Sequence, residues 1–293
     1  MVIKLNNNLI NEHELLPSPA IPGEPAQQAA LALEVGSCLD PGIRRKHKPN
    51  EDTLFVTRGV IPATSPSAQA TPYALLMVAD GMGGQGHGQE ASQLAIQSLA
   101  AYVAGCASLR QGSAEALLAL LRAGVQYANQ VVYERNLQQQ TVMGTTITAA
   151  LVAGATAYVA HVGDSRLYLY RKSAGLLQVT HDHSVVAKLV AEGRIEPDDI
   201  YTHPWRNQIY RSLGNDASVE VDSYILPLVA NDILLLCSDG LWEMVRDWQI
   251  AAIITAPMPT STDTVHALIS AALAGGGEDN ISAIVARVSN AAI

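Results

Sequence analysis

The stretch YALLMVADGMGG, residues 73–84, joins a run of apolar residues to an aspartate and a glycine-rich turn. The uncharged run from Tyr73 to Ala79 is typical of a strand inside a protein, and Asp80 follows it directly. Four other aspartates stand beside apolar runs of the same kind, each in a short polar motif: Asp52 in NED, Asp164 in GDSR, Asp239 in SDG and Asp279 in EDN. The repeated pattern indicates strands that end in carboxylates.

These five aspartates point to a metal site. They are scattered across most of the chain, so only folding can bring them together. Carboxylates that lie close together repel one another unless a cation neutralises them. Oxygen ligands without nearby Cys or His favour Mg²⁺ or Mn²⁺ over zinc. Taken singly, each aspartate is better explained as a turn residue beside a strand, and only the five together favour a metal cluster.

The composition bounds the class of protein. The 293 residues could form one large domain or two small ones, and 48% of them are apolar, which is enough for a sizeable core. The net charge of −9 and the pI near 5.3 argue against nucleic acid or an anionic membrane as the main partner. The N-terminus lacks the basic-then-apolar order of a signal peptide. The longest apolar stretch, residues 147–162, is interrupted by Gly154 and is predicted to be a β-hairpin, not a membrane span.

The predicted elements come in blocks. Residues 1–30 carry an Asn run and several prolines, which predicts a flexible tail. Two helices are predicted, from about Glu90 to Ala104 and from a Ser113 cap through Val132. Four strands then follow in close succession between residues 145 and 180, as antiparallel sheets prefer, and a further strand is predicted over residues 219–226. Strands clustered away from helical pairs favour α+β layers over a doubly wound parallel sheet.

The order of the motifs is more specific than any one of them. Along the chain stand NED, DGMGGxxxGxxAS, MGTT, HVGDSRLYLY, HPxRNxIxRSLG, LLLCSDGLW and GGGEDNIS. From about Leu33 to about Ser289, this series resembles the PPM (type 2C) family of metal-dependent serine/threonine protein phosphatases, in the compact form of its bacterial members. The resemblance implies a single domain over residues 31–293. Its expected fold is α+β, a β-sandwich of two antiparallel sheets flanked by antiparallel helix pairs, with a flap insertion at residues 183–223.

The resemblance also implies an activity. It predicts hydrolysis of phosphoserine and phosphothreonine in proteins by a metal-bridging hydroxide, without a covalent intermediate. The implied cofactors are two core Mn²⁺ or Mg²⁺ ions with a third, weaker site, and the implied substrates are phosphorylated proteins. We therefore expect a cytoplasmic monomer that opposes a serine/threonine kinase and binds neither nucleic acid nor membrane.

The family's metal ligands carry over onto matching positions. The implied ligands are Asp52, Asp80, the backbone carbonyl of Gly81, Asp164, Asp239 and Asp279. Asp80 would bridge the two core ions, and Asp164 would join Asp239 at the third site. Glu51 would act around the second ion through coordinated water, or it is simply a solvated carboxylate beside a turn.

Two positions depart from the family pattern. The phosphate-anchoring Arg usually lies five residues before the Asp of NED, and here that position is His47. The basic cluster Arg44–Lys48 is about two residues longer than usual. The expected catalytic anchor is therefore Arg45, or its neighbour Arg44, because Arg contacts phosphate in bidentate fashion. A solvated basic loop is the alternative. The residue directly after Asp-Gly, a His in some members, is Met82, which leaves the general acid open.

Three stretches of the sequence can each be interpreted in two ways. The glycines of DGMGG suggest a nucleotide-phosphate loop, but no GK[ST] follows them. The segment His181–His183 looks like a zinc pair but lacks a third ligand, and its surroundings also match the family segment that leads into the flap. Tyr201, Trp205 and Arg206 in the flap could grip a phosphopeptide or pin the flap to the body.

Rival functions agree less well with the sequence. The three cysteines lack CxxC spacing and are predicted to be reduced core residues, and the glycine-and-arginine loop of a cysteine phosphatase is missing from the sequence. A non-catalytic binding module of the same fold would have lost part of the metal set, which is intact here. A phosphatase for small metabolites stays open, although the length of the flap favours protein substrates.

Overall fold

The computed structural model describes residues 31–62, 70–106 and 113–290. The strands are β1 Leu31–Asp40, β2 Asp52–Ile61, β3 Thr71–Met82, β4 Gly144–Thr145, β5 Ile147–Ala153, β6 Thr156–Val162, β7 Arg166–Arg171, β8 Gly175–Gln178, β9 Asp222–Pro227, β10 Ile233–Cys237 and β11 Ile281–Asn290. The helices are α1 His87–Gly105, α2 Ala114–Gln139, α3 Val185–Ala191, α4 Asp239–Trp242, α5 Asp247–Thr255 and α6 Ser261–Ala274, with short 3-10 helices at Gly84–Gly86 and Pro197–Tyr201. The tail predicted at residues 1–30 lies outside the described residues.

Two antiparallel sheets lie face to face. The first has the strand order β1-β11-β10-β7-β8, and the second has the order β2-β3-β5-β6-β9, with β4 paired to β3. The apolar run of β3 contributes to two cores, because its neighbouring side chains point to opposite faces. Leu76 and Val78 pack between the sheets, whereas Leu75 and Met77 pack against helices. Both faces of β3 are therefore covered, which explains why the run is apolar without alternation.

Helices cover both outer faces. Helices α1 and α2 pack on the second sheet through residues such as Leu99 and Leu121. Helices α4, α5 and α6 pack on the first sheet through Trp242, Ile250 and Leu268. The layers are helix, sheet, sheet and helix, which confirms the predicted α+β sandwich. Across the described residues, no helix combines the length and the apolar character needed to cross a membrane.

Some predicted boundaries are wrong. Helix α1 begins at His87, three residues before the predicted start, because the turn Gly84–Gly86 leads directly into it. The strand predicted over residues 219–226 begins only at Asp222. The segment before it is bound to α2 instead of to a strand, since side chains of α2 donate hydrogen bonds to the carbonyls of Asp216 and Val219.

Candidate active site

Strand register gathers the five aspartates at one end of the sandwich. In the first sheet, the end of β10 lies between the starts of β7 and β11. Asp164 and Asp279 lie two residues before β7 and β11, and Asp239 lies two residues after β10. In the second sheet, Asp52 and Asp80 are direct cross-strand neighbours. The fold thus brings together the aspartates that the sequence singled out.

Burial and neighbouring charges raise the pKa of three of these carboxyl groups. Burial and then the charge of Asp239 raise the pKa of Asp52 to about 7, although the Ser238 hydroxyl donates to its Oδ2 at 2.6 Å. Burial and the charges of Asp239 and Asp52 hold the pKa of Asp80 well above its usual range. Burial and then Asp279 raise the pKa of Asp239 to about 6. The cluster therefore retains protons close to neutral pH when no cation is present.

Asp164 belongs to the same cluster. It is buried, and burial together with the charges of Asp239 and Asp182 holds its pKa well above the usual range. The indole Nε1 of Trp242 donates to the Asp164 carbonyl at 2.9 Å. Burial and then Asp239 raise the pKa of the neighbouring Glu243 to about 7. Negative potential thus extends from the core of the cluster to Asp164.

Arg45 lies inside the acidic cluster. Its guanidinium forms ion pairs with Glu51 and Asp279, and although burial lowers the pKa of Arg45, these two carboxylates raise it above its ordinary value. Glu51 is buried, and its backbone N–H donates to the Asn280 side chain at 2.8 Å. The other members of the basic cluster, Arg44, Lys46, His47 and Lys48, are exposed. Of the cluster, Arg45 is the partly buried member that reaches the aspartates.

Gly81 lies where three backbone segments meet. Its N–H donates to the Glu51 carbonyl at 3.0 Å, and it pairs with Thr145 of β4. A Cβ atom at this position would lie 1.9 Å from the Gly88 carbonyl oxygen. Only glycine allows so close an approach of the backbone, so the residue is required by packing whatever its carbonyl binds.

The donor set fits a hard divalent cation. Oδ1 of Asp52 and Oδ1 of Asp239 are buried without a hydrogen-bond partner, and such orphaned carboxylate oxygens are what a cation would satisfy. Within residues 31–62, 70–106 and 113–290, no three or more His, Cys, Asp or Glu side chains already surround one point as a ligand set. The carboxylates have other partners instead, since Ser238 binds Asp52 and Arg45 binds Glu51.

Sequence reasoning missed the polar side chains that hold the aspartates. Thr146 accepts the Asp80 N–H on its hydroxyl at 2.9 Å and donates its own N–H to the Asp80 carbonyl. Ser238, Asn280 and Trp242 play comparable roles for other parts of the cluster. The available signal was position, because these residues stand one to three places from a motif aspartate or in the MGTT block.

The histidines are bound in place by structural contacts. The His183 ring is buried, and its Nδ1 lies 3.0 Å from the Gly163 amide nitrogen. Burial lowers the pKa of His161 to about 3, so this imidazole stays neutral at neutral pH and is no general acid there. Among the described residues no third ligand completes a zinc site around His181 and His183.

Two of the three candidate substrate-gripping residues in the flap contact the body of the domain. The Tyr201 ring lies under the Arg246 guanidinium, with 3.3 Å from its Cζ to the ring centroid, and packs edge-on against Trp242. Arg206 pairs with Glu243 at 3.4 Å and also with Glu278. Trp205 is half-exposed. Tyr201 and Arg206 therefore pin the flap, and Trp205 is the member left available to a substrate.

A family model described as protein phosphatase 2C matches residues 44–275. The chain belongs to this family. It is 38% identical over 214 residues to the serine/threonine phosphatase stp of Listeria monocytogenes, covering 72% of this chain and 83% of that protein. The relationship confirms the family resemblance and the prediction of a protein serine/threonine phosphatase.

Solved structures of the protein phosphatase 2C family share the fold. The crystal structure of the Mycobacterium tuberculosis serine/threonine phosphatase PstP/Ppp has a TM-score of 0.74 and 37% identity, covering 88% of this chain and 99% of that one. A PstP catalytic domain in complex with two manganese ions has a TM-score of 0.72 and 36% identity, with the same coverage of 88% and 99%. The sandwich is therefore the fold of solved serine/threonine phosphatases.

Proposed function

We propose that this chain hydrolyses phosphoserine and phosphothreonine in proteins with the help of two Mn²⁺ or Mg²⁺ ions. The observation that carries the proposal is the cluster of aspartates at one end of the sandwich. Burial and neighbouring charges raise the pKa of four of the five aspartates, and two of their buried oxygens have no hydrogen-bond partner. The manganese complex of PstP supports the same choice of cofactor.

The residues proposed to hold the two core ions are Asp52, Asp80, the Gly81 carbonyl, Asp239 and Asp279, with Glu51 acting through water. Asp164 and Asp239 are proposed for the third, weaker site. Bound there, the divalent ions would supply a hydroxide nucleophile from water at neutral pH and offset the charge of the phosphoryl oxygens.

Arg45 is proposed to bind the phosphoryl group. Its guanidinium forms ion pairs with Glu51 and Asp279. With cations bound to these carboxylates, the guanidinium would be free to donate two parallel hydrogen bonds to phosphate oxygens. Phosphoryl transfer passes through a loose transition state, so positioning and charge neutralisation suffice without a covalent intermediate.

The remaining expectations belong to the same proposal. We propose a single catalytic domain over residues 31–293, in which the flap at 183–223 offers Trp205 to a phosphorylated protein. A cytoplasmic monomer that opposes a serine/threonine kinase, and that binds neither nucleic acid nor membrane, stays a prediction from the sequence. Phosphorylated metabolites are the second candidate substrate, and an assay with both kinds of substrate separates the two.

The test is hydrolysis of a phosphothreonine peptide, compared with a sugar phosphate. Activity is expected on the peptide with Mn²⁺ or Mg²⁺, to vanish with excess chelator, and not to return with Zn²⁺, because the donor set is all oxygen. Asp80→Asn should abolish turnover, whereas Asp216→Asn, at an exposed aspartate outside the cluster, should leave it unchanged. Full activity in excess chelator would refute the metal-dependent mechanism, and a preference for the sugar phosphate would refute the protein substrate.

A further inference from the structure

Three consecutive residues of the HDH motif, His181 to His183, each bind the segment that carries Asp164. The His181 carbonyl accepts a hydrogen bond from the His161 ring at 3.1 Å. Asp182 receives two nitrogens of the Arg166 guanidinium, with Nη2 2.7 Å from Oδ2 and Nε 3.0 and 3.1 Å from the two carboxylate oxygens. The motif that resembles a zinc pair is therefore a set of contacts on both sides of Asp164.

His183 makes the contact closest to Asp164. Its ring Nδ1 lies 3.0 Å from the Gly163 amide nitrogen, and the backbone N–H of His183 donates to the Gly163 carbonyl at 2.7 Å. Gly163 has a φ of 112°, a conformation that favours glycine, and a Cβ atom there would lie 2.5 Å from the Thr146 side chain. His183 thus holds both polar groups of the glycine that immediately precedes Asp164.

The hydrogen-bond network assigns the tautomer of His183. The Gly163 N–H can only donate, so Nδ1 must accept and the neutral ring carries its proton on Nε2. That proton is donated to Asp222, whose Oδ2 lies 3.2 Å away. The Arg211 Nη1 atom lies 2.9 Å from Nε2, but in this tautomer both atoms are donors. Arg211 Nη1 donates instead to Asp222 Oδ1 at 2.7 Å.

His183 also lies at the root of the flap, where residues 183–185 pair with residues 208–210. The Tyr210 N–H donates to the His183 carbonyl at 2.9 Å, and the Val185 N–H donates to the Gln208 carbonyl at 2.8 Å. Ser184 and Ile209 form an antiparallel bridge between them. The two chain segments that enter and leave the flap are therefore joined at His183, opposite Gly163.

We propose that His183 is a positioning residue that ties the Asp164 loop to the root of the flap. Its side chain holds the loop at Gly163, while Trp242 holds the Asp164 carbonyl from the other side. A displacement of the flap root reaches Asp164 through the Gly163 contacts. The consequence for catalysis rests on the proposed role of Asp164, whereas the structural tie does not.

A matched pair of variants isolates the Nδ1 contact. The side-chain oxygen of Asn occupies about the place of Nδ1, so His183→Asn can still accept from the Gly163 N–H. The amide of Gln reaches about as far as Nε2, so His183→Gln keeps a partner for Asp222 but loses the acceptor for Gly163. Asp222→Asn is the control that removes the charge beside Nε2 and leaves Nδ1 in place.

Amide hydrogen exchange of residues 161–166, measured in chelator, is the first readout. His183→Gln should exchange there roughly three- to tenfold faster than the wild type, the range expected for one lost hydrogen bond, while His183→Asn and Asp222→Asn stay close to the wild type. With Mn²⁺ and a small aryl phosphate, His183→Gln should lower kcat by a similar factor with little change in KM, and His183→Asn should restore it.

Equal exchange rates in the Gln and Asn variants, whether raised or unchanged from the wild type, would overturn the proposal. The wild-type tautomer supplies a test that needs no variant to fold, because ¹⁵N chemical shifts distinguish the two ring nitrogens. A proton on Nε2 supports the proposal, and a proton on Nδ1 overturns it. If the wild type has no phosphatase activity, the proposed function fails, but the exchange and tautomer results still decide the structural tie.

Discussion

Replacing Asp239 by Asn separates the requirement for a cation from the stability of the fold. In the metal-free protein, burial and then the charge of Asp279 raise the pKa of Asp239 from 3.8 to about 6. A raised pKa means that the folded state holds the proton more tightly than the unfolded chain does. The stability of the wild type should therefore fall as the pH rises from about 4 through about 6, and the cost is complete above that range.

The size of the effect follows from the shift. Each pKa unit corresponds to about 1.4 kcal/mol, so the rise to about 6 corresponds to about 3 kcal/mol before solvent screening. Although its Oδ1 is buried, the Asp239 residue as a whole is partly exposed, and solvent screening reduces the free energy to about 1–2 kcal/mol. Asn has nearly the same shape and no charge. Asp239→Asn should therefore be about 1–2 kcal/mol more stable than the wild type at about pH 8 in chelator, and equal to it at about pH 4.

Urea unfolding in excess chelator at these two pH values measures the stability difference, and phosphopeptide turnover with Mn²⁺ measures the function. Turnover of Asp239→Asn should fall by orders of magnitude, because a ligand of the proposed site has lost its charge. Asp216→Asn, at an exposed position outside the cluster, controls for the chemical change alone. A variant that is less stable at high pH, equally stabilised at both pH values, or near normal in turnover would refute the reasoning.

Three further substitutions test separate contacts. Asp182→Asn breaks the closer of two ion pairs of the buried Arg166 guanidinium and leaves only the longer one, to Asp247 at 3.8 Å, so urea unfolding should show a loss of about 3 kcal/mol, the lower end of the range for a broken buried pair; a loss below about 1 kcal/mol would contradict the pairing. Arg45→Ala should lower kcat/KM for a phosphopeptide about tenfold to a hundredfold, and the exposed Arg44→Ala much less; equal losses would mean that the basic cluster only attracts acidic substrates. Gly163→Ala forces an L side chain to a φ of 112° and should cost at least about 1 kcal/mol, and an unchanged denaturation midpoint would show that this turn relaxes freely.

The elements of this fold were predictable because their causes are local. The uninterrupted apolar run of residues 73–79 predicted a buried strand, and the structure adds that its side chains are divided between two cores because both faces are covered. Ser113 was predicted to cap a helix, and its hydroxyl accepts the Ala116 N–H at 3.2 Å. The turn that follows Asp80 and the paired helices could also be predicted from the sequence. The boundaries of the elements were harder to predict, because contacts between residues distant in sequence bind the segment before Asp222 to α2.

The sequence by itself determined that five aspartates stand beside apolar strands, since residue type and spacing along the chain are enough for that. Only the tertiary structure decided that Asp52 faces Asp80 across two strands, and that Ser238, 186 residues after Asp52, donates to it. It also decided that His183 holds the peptide before Asp164 instead of binding zinc. The physical reason is that hydrogen bonds and charge pairs depend on distances of a few ångströms in space. Only strand pairing together with the packing of the two sheets and their loops brings residues so far apart in sequence to such distances.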